Sequence, residues 1–420
     1  MAIIYSYPII TSLTNDDRLI ISDMDSTTGN PTKSVTLSTL ATFLGSQTGG
    51  PFVPYVDGNG KRITRTEDTN KNTSLGFEAL AGLTTGTGNV AMGYNAGKVL
   101  NTGLNNVILG NDAGVAATDA DLNVLIGKDA GKAVTIGNSN VVIGNSAGLA
   151  LTTQSNNVCI GKFAGNDLIT DDTCCVGQSA GSKFTTGVKN TFLGNNAGAL
   201  TVATTSNTFV GYSAGHAQQG STNTFVGDLA GYGDIGGLST GTRNVGVGQQ
   251  SLNDVQSSFN TAIGFNSGST ITTGTYNSCI GHAAEPTVAT ATGEFTLGDS
   301  NVAVLRCQQT TITALSDQRD KTSIEDLPYG LDFINSLQPR KFVWDNRAEI
   351  DSDGNEYFSL NKGKKDIGFI AQELQTVDDE WLNLVYDSNP ERLEASYGKL
   401  IPVLVKAIKE LKAKVEALEA

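Results

Sequence analysis

The chain has 420 residues, of which 49 are glycine and 17% are charged, and its net charge is −14. Such a composition is unlike that of a typical globular enzyme. The acidic balance argues against a nucleic-acid partner, because phosphate binding requires a basic surface. No apolar run reaches the roughly 18 residues that a membrane-spanning helix needs, so we expect no membrane insertion.

The first fifty residues are predicted to be an attachment module, from their position in the chain. The segments MAIIYSYPIITSLTNDDRLIISDMDS and TKSVTLSTLATFL look like a strand, a turn and a strand followed by a short helix. The start has no Lys or Arg before Arg18 and is interrupted by Pro8, so it lacks the parts of a signal peptide. We therefore expect synthesis in a cytoplasm. Residues 51–71 are predicted to be a linker.

Residues 72–300 consist of a repeat that aligns on the glycine of segments such as NVAMG and NVVIG. Leu, Met, Ile or Val precedes this glycine in every repeat, and Asn lies four positions before it in twelve of fourteen repeats, with Thr173 and Glu294 as the exceptions. Successive glycines are mostly 17 residues apart, which indicates a solenoid. The glycines are Gly76, Gly93, Gly110, Gly127, Gly144, Gly161, Gly177, Gly194, Gly211, Gly227, Gly248, Gly264, Gly281 and Gly298.

Each repeat contains one short stretch such as VVI or TFV, which predicts one strand per repeat. Successive positions of this strand are apolar, so both of its faces should be covered. We therefore expect its outer face to meet either a second layer or other copies of the chain. Asn and Thr are expected to form hydrogen-bonded ladders along the array, and proline, which would interrupt a ladder, is absent from residues 55 to 285.

No metal or cofactor site is predicted. His216 and His282 lie repeats apart without a carboxylate pattern between them. GYGDIGG fits a dinucleotide fingerprint but lacks its strand and helix, and DSDGNE favours a hairpin turn over a calcium loop. The cysteines show no paired CxxC spacing, and those of the repeats lie at or beside positions of Val, Ile or Phe, which indicates small buried side chains. These cysteines are Cys159, Cys174, Cys175 and Cys279.

The composition changes sharply after the repeats. Residues 72–298 carry 7 basic and 13 acidic side chains, whereas the shorter segment 316–420 carries 14 and 21. Both tryptophans, Trp344 and Trp381, lie in this last segment, as expected of a conventional globular core. Residues 301–315 are predicted to be a connecting strand.

The chain ends in a predicted helix over residues 394–420. Apolar residues recur there at alternating steps of four and three, the pattern of a coiled-coil seam. Because the strands upstream are apolar on both faces, we predict three copies rather than two. The seam consists of Tyr397, Ile401, Leu404, Ile408, Leu411, Val415 and Leu418.

The repeats resemble those of bacteriophage tail fibres and, more loosely, the β-roll heads of trimeric adhesins, in the motif N-x-x-I-G-x-x-A-G. The last segment resembles more closely the self-cleaving intramolecular chaperone domain of phage tail fibres, tailspikes and endosialidases. Four blocks carry this resemblance in order: LSDQRDKTSIEDL, GLDFINSLQPRKFVWD, DIGFIAQEL and YGKLIPVLVKAIKELKAKVEALE. TVDDEWLNLVYD departs from the pattern, because it lacks an expected proline.

The resemblance implies that residues 316–420 bring three chains into register and then cut themselves off. By position, Ser316 is the nucleophile, Lys321 is the base, and the bond between Leu315 and Ser316 breaks; Asp317 and Arg319 match the motif and would position the segment. A serine needs a base to take its proton, and a lysine can do so where desolvation lowers its pKa. Packing in a folded trimer would supply that desolvation.

The predicted fold is mainly β: a trimeric β-solenoid with rungs of about 17 residues, then a small α+β chaperone domain that ends in a trimeric coiled coil. The predicted function is that of a virion tail fibre, assembled in the bacterial cytoplasm and joined through its N-terminus to other tail or baseplate proteins. A host glycan or protein would be its receptor. The alternatives are a glycan-degrading tailspike, a trimeric surface adhesin and a non-cleaved spacer. A single self-cleavage is the enzymatic activity we expect.

Overall fold

The computed structural model describes residues 18–22, 32–36, 64–67, 70–233, 239–302, 304–306, 308, 316–345, 349–350, 356–357 and 362–420. They belong to two compact units, Met1–Asp172 and Thr173–Ala420. Both units are built mainly from short β-strands. Within the described residues, no helix is long and apolar enough to cross a membrane.

The first unit begins with two antiparallel strands, β1 (Arg18–Ser22) and β2 (Thr32–Thr36). The pairing therefore joins the two N-terminal segments to each other, and the start of TKSVTLSTLATFL is a strand. Its sequence TKSVT is rich in β-branched residues, which favour the extended backbone. Residues 37–44, on which the predicted helix falls, lie outside the described residues.

The predicted solenoid is confirmed in both units, with one parallel strand for each repeat. In the first unit, β3 (Thr64–Glu67) pairs antiparallel with β4 (Asn72–Leu75), and every later strand is parallel to its predecessor. The pairing advances by one repeat, as when Val107 pairs with Val124. The strands that follow β4 are β5 (Val90–Met92), β6 (Val107–Leu109), β7 (Val124–Ile126), β8 (Val141–Ile143) and β9 (Val158–Ile160).

The second unit continues the same architecture with eight parallel strands. Their register again equals one repeat, as when Phe192 pairs with Phe209. The strands are β10 (Cys174–Val176), β11 (Thr191–Leu193), β12 (Thr208–Val210), β13 (Thr224–Val226), β14 (Val245–Val247), β15 (Thr261–Ile263), β16 (Ser278–Ile280) and β17 (Phe295–Leu297).

Each three-residue strand points its central side chain into the solenoid and its two outer side chains away from it. In β11, Phe192 is fully buried and stacks on Phe209 of the next rung, with ring centroids 5.4 Å apart. The neighbouring Leu193 is 44% exposed. Cys159, Cys175 and Cys279 occupy the same buried central position, as predicted for small apolar side chains. The prediction is wrong for Cys174, which occupies an outer position of β10 and is only half-buried. In the single chain, the outer apolar positions therefore remain partly open to solvent.

A ladder of buried asparagines runs along the inside of each unit. The backbone N–H of Asn106 donates to Oδ1 of Asn89 at 2.9 Å, and Nδ2 of Asn89 donates to the carbonyl oxygen of Gly103 at 2.7 Å. In the second unit, the N–H of Asn207 donates to Oδ1 of Asn190 at 3.0 Å. The predicted ladder is thus present, and it satisfies backbone groups that would otherwise be buried without partners.

The glycine on which the repeats align is required at the corner after each strand. At Gly194, φ is +142°, and an added Cβ would lie 2.2 Å from the carbonyl oxygen of Gly211 in the next rung. Similar contacts of 2.2 to 2.5 Å face the corresponding glycines Gly76, Gly93 and Gly264. The rungs can stack at strand spacing only if this position has no side chain.

The C-terminal part of the second unit mixes short helices and strands. Its strands form antiparallel pairs, β18 with β21, β19 with β20, and β22 with β23. The pairing of β19 with β20 agrees with a hairpin, although DSDGN itself lies outside the described residues. The elements are a 3₁₀ turn (Gln318–Asp320), α1 (Leu331–Ser336), β18 (Arg340–Val343), β19 (Glu349–Ile350), β20 (Glu356–Tyr357), β21 (Lys365–Gly368), α2 (Ala371–Gln375), β22 (Val385–Tyr386), β23 (Glu394–Ala395), a 3₁₀ turn (Tyr397–Lys399) and α3 (Leu400–Glu419).

The core of this part is aliphatic and small. It is formed by Leu337, Leu374, Leu382, Leu384, Val385, Leu400 and Val403. The expectation that the tryptophans belong to the core is wrong, because Trp344 is 41% exposed and Trp381 is 74% exposed. Their rings are too large for the narrow space between such short elements, and leucines fill it instead.

The terminal helix begins later than predicted, at Leu400 rather than at residue 394. Residues 394 and 395 form β23, which pairs with β22, and Tyr397 lies in a 3₁₀ turn. One face of α3 buries Leu400, Val403 and Ala407. The helix therefore packs on its own domain over its first three turns, as far as Glu410, whose carboxylate accepts the N–H of Leu331 at 2.7 Å, and residues 411–420 are exposed.

We predict that Gly194→Ala lowers the free energy of unfolding by about 3 kcal/mol or more, because the new Cβ meets a backbone oxygen and the backbone angle disfavours an L-residue. Gly293→Ala is the matched control, since φ is +78° there but nothing lies within 4 Å of an added Cβ. The control should cost only about 1 to 2 kcal/mol. Urea unfolding followed by circular dichroism measures both, and equal losses would contradict the stacking constraint.

Candidate functional site

Ser316 and Lys321 lie at the start of the C-terminal domain and are in direct contact. Nζ of Lys321 donates to Oγ of Ser316 at 2.5 Å. The two residues flank the short 3₁₀ turn Gln318–Asp320, which folds the chain back and brings their side chains together across five positions. A hydroxyl beside an amine is the arrangement that a serine nucleophile and a lysine base require. Leu315, the residue before Ser316, lies outside the described residues.

Asp317 and Arg319 hold this turn. The backbone N–H of Arg319 donates a hydrogen bond to Oδ1 of Asp317 at 2.8 Å, and this bond caps the turn. Nη2 of the Arg319 side chain donates to Oδ2 of Asp317 at 2.6 Å. The hydrogen bonds from Arg319 hold the pKa of Asp317 below its usual range. These bonds fix the turn that Ser316 and Lys321 flank, so this geometry suits positioning rather than proton transfer.

The Ser316–Lys321 pair is exposed to solvent in the single chain. The pair therefore has the contact that a nucleophile and a base require, on a surface that is open to solvent.

A second surface of the domain is apolar and exposed. The predicted seam residues face solvent along α3, with Ile401 and Ile408 each 65% exposed and Leu418 88% exposed. Their face differs from the one that buries Val403 and Ala407. The full set is Tyr397, Ile401, Leu404, Ile408, Leu411, Val415 and Leu418, of which Tyr397 precedes the helix.

An apolar groove of about 780 Å³ continues this seam onto the body of the domain. Tyr397, Ile401 and Leu404 line both the groove and the seam. Its far side includes Ile367, which is 80% exposed. An exposed apolar surface of this extent on a small domain is typical of a protein interface.

The loop that departs from the expected sequence pattern, TVDDEWLNLVYD, is organised by two aspartates. The carboxylate of Asp378 accepts the backbone N–H groups of Leu384 and Val385, each at 2.8 Å. Asp379 accepts the N–H of Leu382 at 2.9 Å, and the hydroxyl of Tyr329 also donates to it. These bonds restrain the backbone of the loop, as a proline would. Sequence reasoning missed this role, although two adjacent aspartates before a buried strand are a signal of such capping.

The described residues contain no group of three or more His, Cys, Asp or Glu side chains that could hold a metal ion. His216 stacks on Tyr232, and burial lowers the pKa of its imidazole. His282 pairs with Asp299 at 3.0 Å between Nδ1 and Oδ2. Burial raises the pKa of the Cys279 thiol to about 12, which keeps it protonated and unreactive.

Residues 316–383 match the protein family described as the chaperone of endosialidase. The match begins at Ser316 and covers the Ser316–Lys321 pair, the helices α1 and α2, and both aspartates of the loop, Asp378 and Asp379. No curated protein and no solved structure matches the chain. A β-solenoid body that carries this C-terminal domain fits a protein of the tailspike or endosialidase type, with an intramolecular chaperone at its C-terminus.

We predict that Asp378→Ala lowers the free energy of unfolding of the C-terminal domain by about 2 to 3 kcal/mol, because two buried N–H groups lose a charged acceptor. Asp378→Asn, which keeps one acceptor, should lose less. Asp387→Ala, at an exposed position after β22, is the control. Thermal unfolding followed by tryptophan fluorescence reports this domain, since both tryptophans lie in it. A loss no larger than that of the control would contradict the assigned role.

Proposed function

We propose that the protein is a trimeric phage fibre whose C-terminal domain assembles the solenoid and then removes itself by one cut between Leu315 and Ser316. The observation that carries the proposal is the contact between Lys321 Nζ and Ser316 Oγ at 2.5 Å, at the first residue of the segment that matches the chaperone family. A chaperone at the end of a repetitive shaft has a clear physical use. Rungs that look alike would allow chains to pair one repeat out of register at little cost.

The cleavage proceeds within one chain. Lys321, once neutral, takes the proton from Ser316 Oγ, and the oxygen attacks the carbonyl carbon of Leu315. The bond from this carbon to the Ser316 nitrogen breaks as the nitrogen receives that proton, which leaves an ester between the two residues. Water then hydrolyses the ester, giving a carboxylate on Leu315 and a free amine on Ser316. The attack benefits from a high effective concentration, because the reacting groups are adjacent.

Assembly controls the cut in this proposal. A second and a third copy of the chain would cover the seam of α3 and the groove beside it, since these surfaces are continuous and apolar. Only a few heptads are present, too few for a stable helix in isolation, and burial against copies supplies the missing stability. Packing of the three domains would also remove water from Lys321, so that the base becomes active only after trimer formation.

The remaining parts have roles in the same proposal. Residues 1–50 would attach the fibre to other tail or baseplate proteins of a virion. The partly exposed outer side chains of the solenoid strands, such as Met92 and Leu193, would face neighbouring copies of the shaft.

A glycan or protein of the host surface would be the receptor. Glycan degradation is the competing activity, and analysis of products from host polysaccharide separates it from binding.

We predict that the full chain, expressed alone, splits between Leu315 and Ser316, whereas Ser316→Ala stays intact. Lys321→Ala and Lys321→Arg should slow the cut about a hundredfold or more, because neither side chain supplies a neutral amine. Ser323→Ala is the control and should be cut like the parent. The intact mass of the parent and of each variant, measured over time, shows whether the chain has been cut. A parent that remains a single chain of 420 residues would show that the domain is retained and that the pair has no catalytic role.

We also predict that charge on the seam abolishes both trimer and cleavage. Ile408→Glu together with Leu411→Glu would place carboxylates in the apolar contact between copies, at two positions that are exposed in the single chain. Lys409→Glu changes charge on an exposed position of the same helix outside the seam and should leave both properties unchanged. Analytical ultracentrifugation and intact mass are measured on each variant. Normal cleavage in a monomeric seam variant would contradict the coupling of the cut to assembly.

A further inference from the structure

The asparagine ladder of the second unit ends in a different side chain. The backbone N–H of Glu294 donates to Oδ1 of Asn277 at 3.0 Å, which is the bond that Asn277 itself makes to Asn260 in the rung before it. A ladder asparagine also donates forward, as Nδ2 of Asn277 does to the carbonyl oxygen of Ala291 at 2.7 Å. A carboxylate has no N–H to donate. Glu294 therefore completes the ladder without needing a further rung.

The Glu294 carboxylate instead turns back onto its own loop. It accepts the backbone N–H of Thr287 at 2.8 Å and the hydroxyl of the same residue at 2.5 Å. Burial by itself would raise the pKa of Glu294, but the hydrogen bonds that it accepts outweigh this effect and lower the pKa. The side chain is thus charged at neutral pH, and it presents a fixed acceptor at the end of the solenoid.

Two residues of the C-terminal domain contact this last rung. The hydroxyl of Tyr386 donates to the Glu294 carboxylate, and Nδ2 of Asn389 donates to the carbonyl oxygen of Thr287 at 3.3 Å. Tyr386 belongs to β22, next to the buried Val385, whose N–H is bound by Asp378. The contact therefore comes from a rigid part of the domain rather than from a free side chain.

We propose that Glu294 is the docking point at which Tyr386 and Asn389 seat the C-terminal domain on the last rung of its own solenoid. The inference rests on the proposed chaperone function and adds the place where the domain engages the shaft. A hydroxyl binds a carboxylate more strongly than it binds a neutral amide. This contact therefore distinguishes position 294 from the asparagine one rung earlier, Asn277, which carries no charge.

The test uses the full chain with Ser316→Ala, so that the domain stays attached whether or not the parent cleaves. Hydrogen–deuterium exchange is measured for peptides covering residues 285–297 and residues 384–390. Tyr386→Phe and Glu294→Gln should each speed exchange in both segments, by about tenfold for the loss of a hydrogen bond to a charged group. The control is Tyr212→Phe, an exposed tyrosine on the solenoid five strands before β17, which should change neither segment.

Two outcomes would contradict this docking contact. In the first, the amide hydrogens of both segments exchange at the same rate in Tyr386→Phe as in its parent. In the second, Glu294→Gln loosens residues 285–297 alone, which means that Glu294 closes the ladder without holding the domain. Self-cleavage is tested separately, by the intact mass of the chain that keeps Ser316. If that chain is uncut, the proposed self-cleavage is wrong, and the exchange result still decides whether Glu294 holds the domain.

Discussion

The hydrogen bonds of the buried asparagine amides are the interaction on which the solenoid depends. Each amide lies inside a rung, where its oxygen accepts the N–H of the next asparagine and its nitrogen donates to a carbonyl group of the following turn, as at Asn106 and Asn123. Without these bonds, the interior of every turn would hold unpaired backbone groups, at a cost that apolar packing of three-residue strands could not offset. Because the same bond recurs at every rung, the ladder gives stability but no unique register.

In the proposed function, the lack of a unique register is the reason why a repetitive body carries so different a C-terminal domain. The corner glycines let the rungs stack closely, and the outward side chains of the strands remain partly exposed. Both features suit pairing with further copies, yet neither identifies which rung should face which. In the proposed trimer, a domain with its own core and an exposed seam along α3 would fix the ends of the chains. Cleavage at Ser316, beside Lys321, would then follow completed assembly.

The sequence predicted the repeat and its strands from local spacing, and the resemblance to the chaperone domain implied the pair Ser316 and Lys321. It failed for features that depend on packing between elements. Trp344 and Trp381 were expected in a core that proved to be filled by leucines. The helix was predicted to start at residue 394, but pairing with β22 draws residues 394 and 395 into a strand. The aspartate loop escaped notice because its acceptors bind N–H groups several residues away.

The sequence alone determined the periodic part of the protein. The 17-residue spacing, the corner glycine and the asparagine ladder all appear as regular positions in the chain. Tertiary structure decided everything that joins distant positions. It showed that Glu294 closes the ladder and receives Tyr386, a contact across 92 positions that no local pattern records. The reason is physical, since periodicity repeats one local geometry, whereas the contact of two unlike surfaces depends on how the chain folds between them.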